Sequence, residues 1–196
     1  MQRVGTVCLE EWHVADDATR ADRVTDSYVV ATPAAGAVTG LTWLAGVLVT
    51  PVAGFPDVDG NLEWVAQDPQ TVTAGGAITV DAEATSVVVG VYAPRSFTTL
   101  PKEGGQPGGT AAGSKQRMVK LSLRLNDSAL PLVDGVRAAP DRTPSTPMGT
   151  VEPRTTGDVV SRLLGWESHG QVTVTQDKPI RTEVLALYGV LSTSEV

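Results

Sequence analysis

Apolar and polar side chains alternate within Met118–Leu125 more strictly than in any other part of the chain. The apolar residues of the alternation are Val119, Leu121, Leu123 and Leu125, and the polar residues between them are Lys120, Ser122 and Arg124. A period of two places successive side chains on opposite faces of a strand, whereas a helix repeats every 3.6 residues. We therefore predict a half-buried strand whose four odd-numbered residues form its apolar face.

Glycine and proline account for 20 and 13 of the 196 residues, which favours short strands joined by turns over a bundle of long helices. Hydrophobic residues make up 41% of the chain, enough to form a core. Further strands are predicted at residues 3–9, 27–32, 62–66, 87–89 and 172–175, and a buried strand at 184–191. Residues 10–23 fit either a short helix or a loop. The predicted fold class is all-β, with antiparallel hairpins forming a sandwich or barrel-like module.

Residues 71–80 predict a hairpin around two adjacent glycines. A three-residue loop, Ala74–Gly76, places Val72 opposite Ile78 and Thr71 opposite Thr79, which keeps apolar with apolar and polar with polar. This loop requires a left-handed residue near its end, and Gly76 occupies that position.

The chain is predicted to be a single β-rich module over residues 1–196 with two long loops. Residues 101–117 are rich in glycine, and residues 131–157 contain five prolines with little periodicity. We interpret both segments as extended Gly/Pro-rich loops or arms that order against a neighbouring subunit.

The chain carries 15 basic and 22 acidic residues, a net charge of −7. This balance argues against tight binding of nucleic-acid phosphates or of an anionic membrane surface, because both require clustered Lys and Arg. The single cysteine, Cys8, has no internal disulfide partner. No apolar run approaches the roughly 18 residues of a membrane span. We expect a soluble protein made in the cytoplasm.

Four oxygen-bearing side chains at alternate positions resemble the start of a calcium-binding loop. These residues are Asp57, Asp59, Asn61 and Glu63. An EF-hand requires glycine at its sixth position and glutamate at its twelfth, where this chain has Leu62 and Asp68. A solvated hairpin tip is the alternative and favoured interpretation.

The sequence contains no convincing catalytic constellation. The histidines, His13 and His169, lie far apart, and neither has a second ligand at metal-binding spacing. Residues 108–115 resemble a phosphate-binding loop only superficially, because Ser114 separates Gly113 from Lys115. We predict a protein that is not an enzyme and needs no cofactor. Of the tryptophans, Trp43 is predicted in the core and Trp64 in the core or an interface.

Eight short segments, in order along nearly the whole chain, resemble one family of viral proteins. They are VTGLTWLAG (38–46), TVTAGGAITV (71–80), VVVGVY (87–92), TLP (99–101), GTAAG (109–113), LRL (123–125), TGD (156–158) and GQVTVTQDKP (170–179). Together they resemble the C-terminal module of the tail nozzle, or tail tubular protein B-like, stabilisation proteins of short-tailed and related bacteriophages.

The resemblance implies a virion structural protein made in the host cytoplasm. Such a protein is a component of the tail nozzle, tube or adaptor and assembles as a ring-shaped homo-oligomer that contacts other tail, adaptor or portal proteins. DNA passes through the ring without specific binding, for which an acidic lumen is suitable. The alternative is a carbohydrate- or receptor-binding β module of a phage tail or cell surface, which would use surface tryptophans and the Asp57–Glu63 turn.

Overall fold

The computed structural model describes residues 25–101, 115–138, 154–161 and 170–193. These residues form fifteen strands and one short 3-10 helix, and all of the paired strands run antiparallel. The predicted all-β, antiparallel fold class is therefore confirmed. The segments predicted at 3–9 and 10–23 lie outside the described residues.

The chain divides into two compact units between Tyr92 and Ala93. The first contains β1 (Asp26–Ala31), β2 (Ala37–Val38), the 3-10 helix η1 (Thr42–Leu44), β3 (Leu48–Val49), β4 (Val52–Pro56), β5 (Leu62–Ala66), β6 (Gln70–Thr71), β7 (Ile78–Thr79) and β8 (Ser86–Val91). The second contains β9 (Arg95–Thr98), β10 (Gln116–Ser128), β11 (Leu132–Val133), β12 (Val136–Arg137), β13 (Thr155–Ser161), β14 (Thr173–Gln176) and β15 (Val184–Thr193). The prediction of a single module over 1–196 stays a prediction.

The first unit is built on a four-stranded sheet in the order β1-β8-β4-β5. Strand β8 lies inside this sheet, and Val87, Val88 and Val89 are all fully buried, as predicted from their β-branched run. Two pairs of short strands, β2-β7 and β3-β6, supply further core residues. The core of this unit contains Val38, Leu41, Leu44, Val49, Ala53, Val72, Ile78, Val80, Ala84, Val87 and Val89.

The loop at residues 74–76 has the predicted length, but its flanking strands pair elsewhere. The Thr73 amide donates to the Ala77 carbonyl at 3.0 Å, and Gly76 is left-handed with φ +72°. The predicted ladder beyond this turn is wrong, because β6 pairs with β3 and β7 pairs with β2. The side-chain amide of Gln70 instead bonds both the amide and the carbonyl of Thr79, at 3.0 and 2.7 Å.

The second unit contains a three-stranded sheet, β13-β10-β15, and a four-stranded sheet, β12-β11-β14-β9. Both sheets contribute to one core, which is the arrangement of a β-sandwich. Its buried residues are Met118, Leu121, Leu123, Leu125, Leu130, Val133, Ala138, Val159, Val172 and Val174.

A β-bulge changes the predicted apolar face of β10. Three of the four predicted residues, Leu121, Leu123 and Leu125, are buried, but Val119 is 41% exposed and Met118 is buried in its place. The register with β15 shifts between Met118 and Lys120, so that one extra residue is accommodated. Because side chains alternate with period two, one inserted residue moves every earlier side chain to the opposite face.

The predicted loops at 101–117 and 131–157 are shorter in the structure than predicted, because residues at their ends form strands. In the segment 101–117, Gln116 and Arg117 already belong to β10, where the long partner strand β15 extends the ladder to Thr193. In the segment 131–157, strands β11 and β12 form a tight hairpin, and β13 begins at Thr155. The central parts of both segments, 102–114 and 139–153, lie outside the described residues.

Strand β15 forms where it was predicted, but the prediction that it is buried is wrong. Leu185, Tyr188 and Val190 are 57%, 44% and 58% exposed. Within the described residues β15 pairs only with β10, so it is an edge strand of its sheet. One face of β15 packs on the core through Leu187. Because the strand is apolar on both faces, apolar side chains also lie on the face that no described residue covers.

Candidate interaction surface

The predicted calcium residues form a hairpin tip that is held together by its own hydrogen bonds. Oδ1 of Asp57 accepts the amides of Asp59 and Asn61 at 2.9 and 2.8 Å, and Gly60 is left-handed with φ +84°. The backbone closes the same turn through the Asp57 amide and the Asn61 carbonyl, at 2.8 Å. The turn and the returning strand β5 thus match the solvated-tip interpretation.

The structure does not bring the predicted carboxylates together as a metal-binding group. In the described parts of the chain, no set of three or more His, Cys, Asp or Glu side chains is placed to hold a metal ion. Asp57 and Asn61 are brought together by the turn, whereas Glu63 lies on β5 opposite Phe55. Calcium binding at this turn stays a prediction.

The two described tryptophans have different environments. Trp43 was predicted in the core but is 51% exposed, while Leu41 and Leu44 are each 2% exposed. In a 3-10 helix residues three apart share a face, so Leu41 and Leu44 point into the core and Trp43 points outward. Trp64 is buried, and its ring lies against Gly54 of the neighbouring strand. Trp12 and Trp166 lie outside the described residues, as do Cys8, His13 and His169.

A small cleft of about 160 Å³ lies within the second unit. It is lined by Arg95 and Phe97 of β9, Val174 and Gln176 of β14, and residues beside the start of β15. Small-molecule sites usually enclose about 300–1,000 Å³, so this cleft is smaller than a typical ligand pocket.

The most distinctive surface of the second unit is the face of sheet β13-β10-β15 that points away from the core. We call it the outer face. Leu121, Leu123 and Leu125 point to the core, so the β10 residues that alternate with them point outward. The residues that pair with these outward residues on β13 and β15 point outward as well. The outer face consists of Lys120, Ser122, Arg124, Asp158, Val160, Ala186, Tyr188 and Val190.

One cluster of interacting side chains has a member on each of the three strands of the outer face. The guanidinium of Arg124 makes a bidentate contact with Asp158, with Nε–Oδ1 at 2.8 Å and NH2–Oδ2 at 3.0 Å. Its Cζ also lies 5.9 Å from the centre of the Tyr188 ring, within the range of a cation–π contact. The three side chains therefore form one fixed polar cluster among Val160, Val190 and Ala186.

This contact changes the titration of all three groups. Hydrogen bonds from Arg124 and then Tyr188 lower the pKa of Asp158 to about 2. The hydrogen bond to Asp158 raises the pKa of Tyr188 above its ordinary value. The same carboxylate raises the pKa of Arg124. Asp158 and Arg124 are thus a charged pair over the whole physiological pH range, although both are solvent-exposed and the pair is screened.

A second polar cluster fixes the end of the same sheet. Ser128 is fully buried, and its Oγ accepts the Glu183 amide at 2.7 Å and lies 2.8 Å from the Asn126 carbonyl. The carboxylate of Glu183 accepts hydrogen bonds from Asn126 and Arg181, and the first of these is the largest cause of its lowered pKa. These contacts fix the start of β15 relative to β10.

Sequence reasoning did not find the outer face. Arg124 and Asp158 are 34 residues apart, and nothing local in the sequence indicates that they are cross-strand partners. The usable signal was the apolar run at residues 184–191, which predicted a buried strand.

No protein-family model matches this chain, and no curated protein sequence matches it. Among the described residues, no helix has the length and apolar character that a membrane crossing requires.

Proposed function

We propose that this protein is a virion structural component of a bacteriophage tail, a ring-forming subunit of the nozzle, tube or adaptor that lines or supports the DNA conduit. The observation that carries the proposal is the ordered set of eight segments that resemble the tail nozzle family. The all-β architecture agrees with that expectation but is shared by many other proteins.

The surface chemistry supports a protein that acts through subunit contacts. The outer face exposes Val160, Tyr188 and Val190 beside the fixed Arg124–Asp158 pair. Aromatic and apolar residues around an arginine are typical of protein–protein contact surfaces. In this role the protein contacts other copies of itself and neighbouring tail, adaptor or portal proteins, and it performs no catalysis.

The net charge of −7 supports the proposed relation to DNA. An acidic wall repels phosphates, so a duplex moves past it without being held. The protein therefore binds DNA weakly at physiological salt, and it resides in the virion.

The proposal is tested on the purified full chain by light scattering after size-exclusion chromatography and by negative-stain electron microscopy. Closed rings, together with fluorescence anisotropy that detects no duplex binding at physiological salt, support it. A strict monomer that binds a glycan contradicts it. Genes for portal, capsid or tail proteins beside the gene for this chain would support it at the least cost.

The alternative, a carbohydrate- or receptor-binding β module, is favoured by one observation. Trp43 presents half of its surface to solvent in the first unit, and an exposed indole is a common sugar-stacking group. A glycan array distinguishes the two functions. Glycan binding that is lost in Trp43→Ala supports the alternative, whereas rings without glycan binding support the tail component.

A further inference from the structure

Among the described residues, strand β15 forms a sheet edge without the usual protection against pairing. It is ten residues long, and within the described residues it pairs with β10 on one side only. Natural edge strands are usually blunted by lysine, proline, or short length, which prevents other strands from pairing with them. Residues 184–193 contain no charged residue and no proline. The opposite edge of the sheet, β13, carries Asp158 and the left-handed Gly157.

We infer that β15 pairs antiparallel with β15 of a second copy of this chain, across a two-fold axis at Tyr188, and joins the two three-stranded sheets into one sheet of six strands. The inference rests on this strand edge and does not depend on the proposed tail function. A two-fold contact is self-complementary, so a single surface on each copy suffices.

Charge favours this edge as the place where two copies of the chain meet. Each chain carries a net charge of −7, so two copies repel unless they meet at a segment without negative charge. Strand β15 is such a segment, and the β10 residues beside it on the outer face are Lys120 and Arg124. Across the joined sheet these cations face their counterparts at about 14 Å, three strand spacings, which exceeds the Debye length at physiological salt.

The side chains of β15 fit this two-fold register. An axis at Tyr188 places Ala186 opposite Val190 of the partner subunit and Leu187 opposite the partner's Gly189. Each of these two pairs sets a larger side chain opposite a smaller one, with one pair on each face of the strand. The two Tyr188 rings meet on the outer face, where each is already held by its own Arg124.

Glycine at position 189 is required within each chain before any pairing occurs. A Cβ atom at this position would overlap the carbonyl oxygen of Lys120 and would lie 2.7 Å from Sδ of Met118. The contact between β10 and β15 therefore already requires glycine at position 189, and this glycine leaves room for the partner's Leu187.

The test uses charge pairs placed across the proposed seam of the full chain. Ala186 and Val190 are exposed, and each neighbours a cation of its own β10, Arg124 or Lys120. Ala186→Glu with Val190→Glu leaves each chain folded but sets two carboxylates opposite each other twice across the seam. We expect this variant to weaken association about tenfold or more. Ala186→Glu with Val190→Lys places opposite charges across the same positions and restores association.

The control is Val136→Glu, which introduces one glutamate at a 63% exposed valine of the other sheet and leaves association unchanged. Sedimentation equilibrium over a concentration series measures each dissociation constant.

In a Cys8→Ser background, Tyr188→Cys is expected to form an intersubunit disulfide on mild oxidation, since the two positions face each other at the axis. Val136→Cys provides the matched control and does not cross-link.

The inference is overturned if the wild type stays monomeric at all concentrations, or if the double-glutamate variant associates as tightly as the wild type. In a monomer, protection from hydrogen exchange of those β15 amides that point away from β10 would also overturn it, because the edge would then be covered by the chain itself. If the double-glutamate variant still forms rings as well as the wild type does, the seam is wrong and the tail proposal stands. If the wild type forms only dimers that the charge pairs control, the seam stands and the ring is wrong.

Discussion

The indole ring of Trp64 lies directly across from Gly54, in the space that a side chain at position 54 would need. The two residues are cross-strand partners on β5 and β4, and a Cβ atom at Gly54 would lie 3.1 Å from Cζ3 of Trp64. Trp64 is 7% exposed, so the ring has little freedom to retreat. Glycine at position 54 is thus the condition for burying the tryptophan.

Gly54→Ala is therefore expected to destabilise the protein by about 1–3 kcal/mol, the usual cost of overfilling a packed site. Urea denaturation followed by circular dichroism measures the change. Gly75→Ala is the matched control, because its nearest atom beyond its chain neighbours, Thr73 Oγ1, is 4.0 Å away. An equal loss of stability in both variants would contradict the role of Trp64.

Asp57→Ala is expected to lower the free energy of unfolding by about 1 kcal/mol, because the amides of Asp59 and Asn61 lose their acceptor. Asp57→Asn retains an acceptor oxygen and is expected to keep most of the stability. Asp59→Ala removes a neighbouring carboxylate that makes no such bonds and serves as the control. Chemical denaturation compares the three variants. Equal effects of Asp57→Ala and Asp59→Ala would show that the Asp57 carboxylate does not stabilise the turn.

Ser128→Ala is expected to cost about 1–3 kcal/mol, since it leaves the part-buried amide of Glu183 without its 2.7 Å acceptor. The loss is local to the start of β15, so amide exchange should accelerate there first. Ser96→Ala, at an exposed position of β9, is expected to change stability by less than about 0.5 kcal/mol. Unchanged exchange at Glu183 in Ser128→Ala would show that the hydroxyl does not fix this strand.

Asp158→Asn is expected to lower the melting temperature slightly at pH 6 and to have progressively less effect in acid. The pKa of Asp158 is about 2 in the folded chain and 3.8 as the ordinary value. A carboxylate with a depressed folded pKa stabilises the protein fully above its unfolded pKa and loses that contribution as pH falls through its folded pKa. The difference between variant and wild type should therefore shrink between pH 4 and pH 2.

Asp68→Asn is the control for this series, because Asp68 is exposed and makes no ion pair with any arginine of the described residues. A second readout is the phenol of Tyr188, whose raised pKa should fall towards its ordinary value in Asp158→Asn. A constant difference in melting temperature from pH 6 to pH 2 would argue against the Arg124–Asp158 pair.

Features set by local sequence were predicted well. Strand β5 has the predicted bounds, residues 62–66, because it follows a turn whose Asp, Gly and Asn residues stabilise the reversal directly. The β-branched residues of Val87–Val89 predicted a buried strand, and pairing with β1 and β4 completes that burial. The turn, by contrast, is held by interactions within a few residues along the chain.

Features set by pairing between distant strands were not predicted. The bulge near Val119 depends on how β10 aligns with β15, about 70 residues later, and no local pattern marks it. The charged cluster of the outer face likewise requires that β10 and β13 be neighbours. The exposure of Trp43 depended on a 3-10 turn, whose three-residue spacing differs from the periods expected for strands and α-helices.

The side chain of Gln70 links the strand pairs β3-β6 and β2-β7 by hydrogen bonds of the kind that backbone groups usually make in a sheet. Its amide supplies one donor and one acceptor to Thr79 and so replaces one residue of a missing ladder between β6 and β7. Glutamate at this position has the length but no donor at neutral pH, and asparagine has both groups but is one methylene shorter. Among sequence variants of this chain, position 70 should therefore tolerate fewer replacements than its surface location suggests, and a change there would uncouple the two strand pairs without emptying any part of the core.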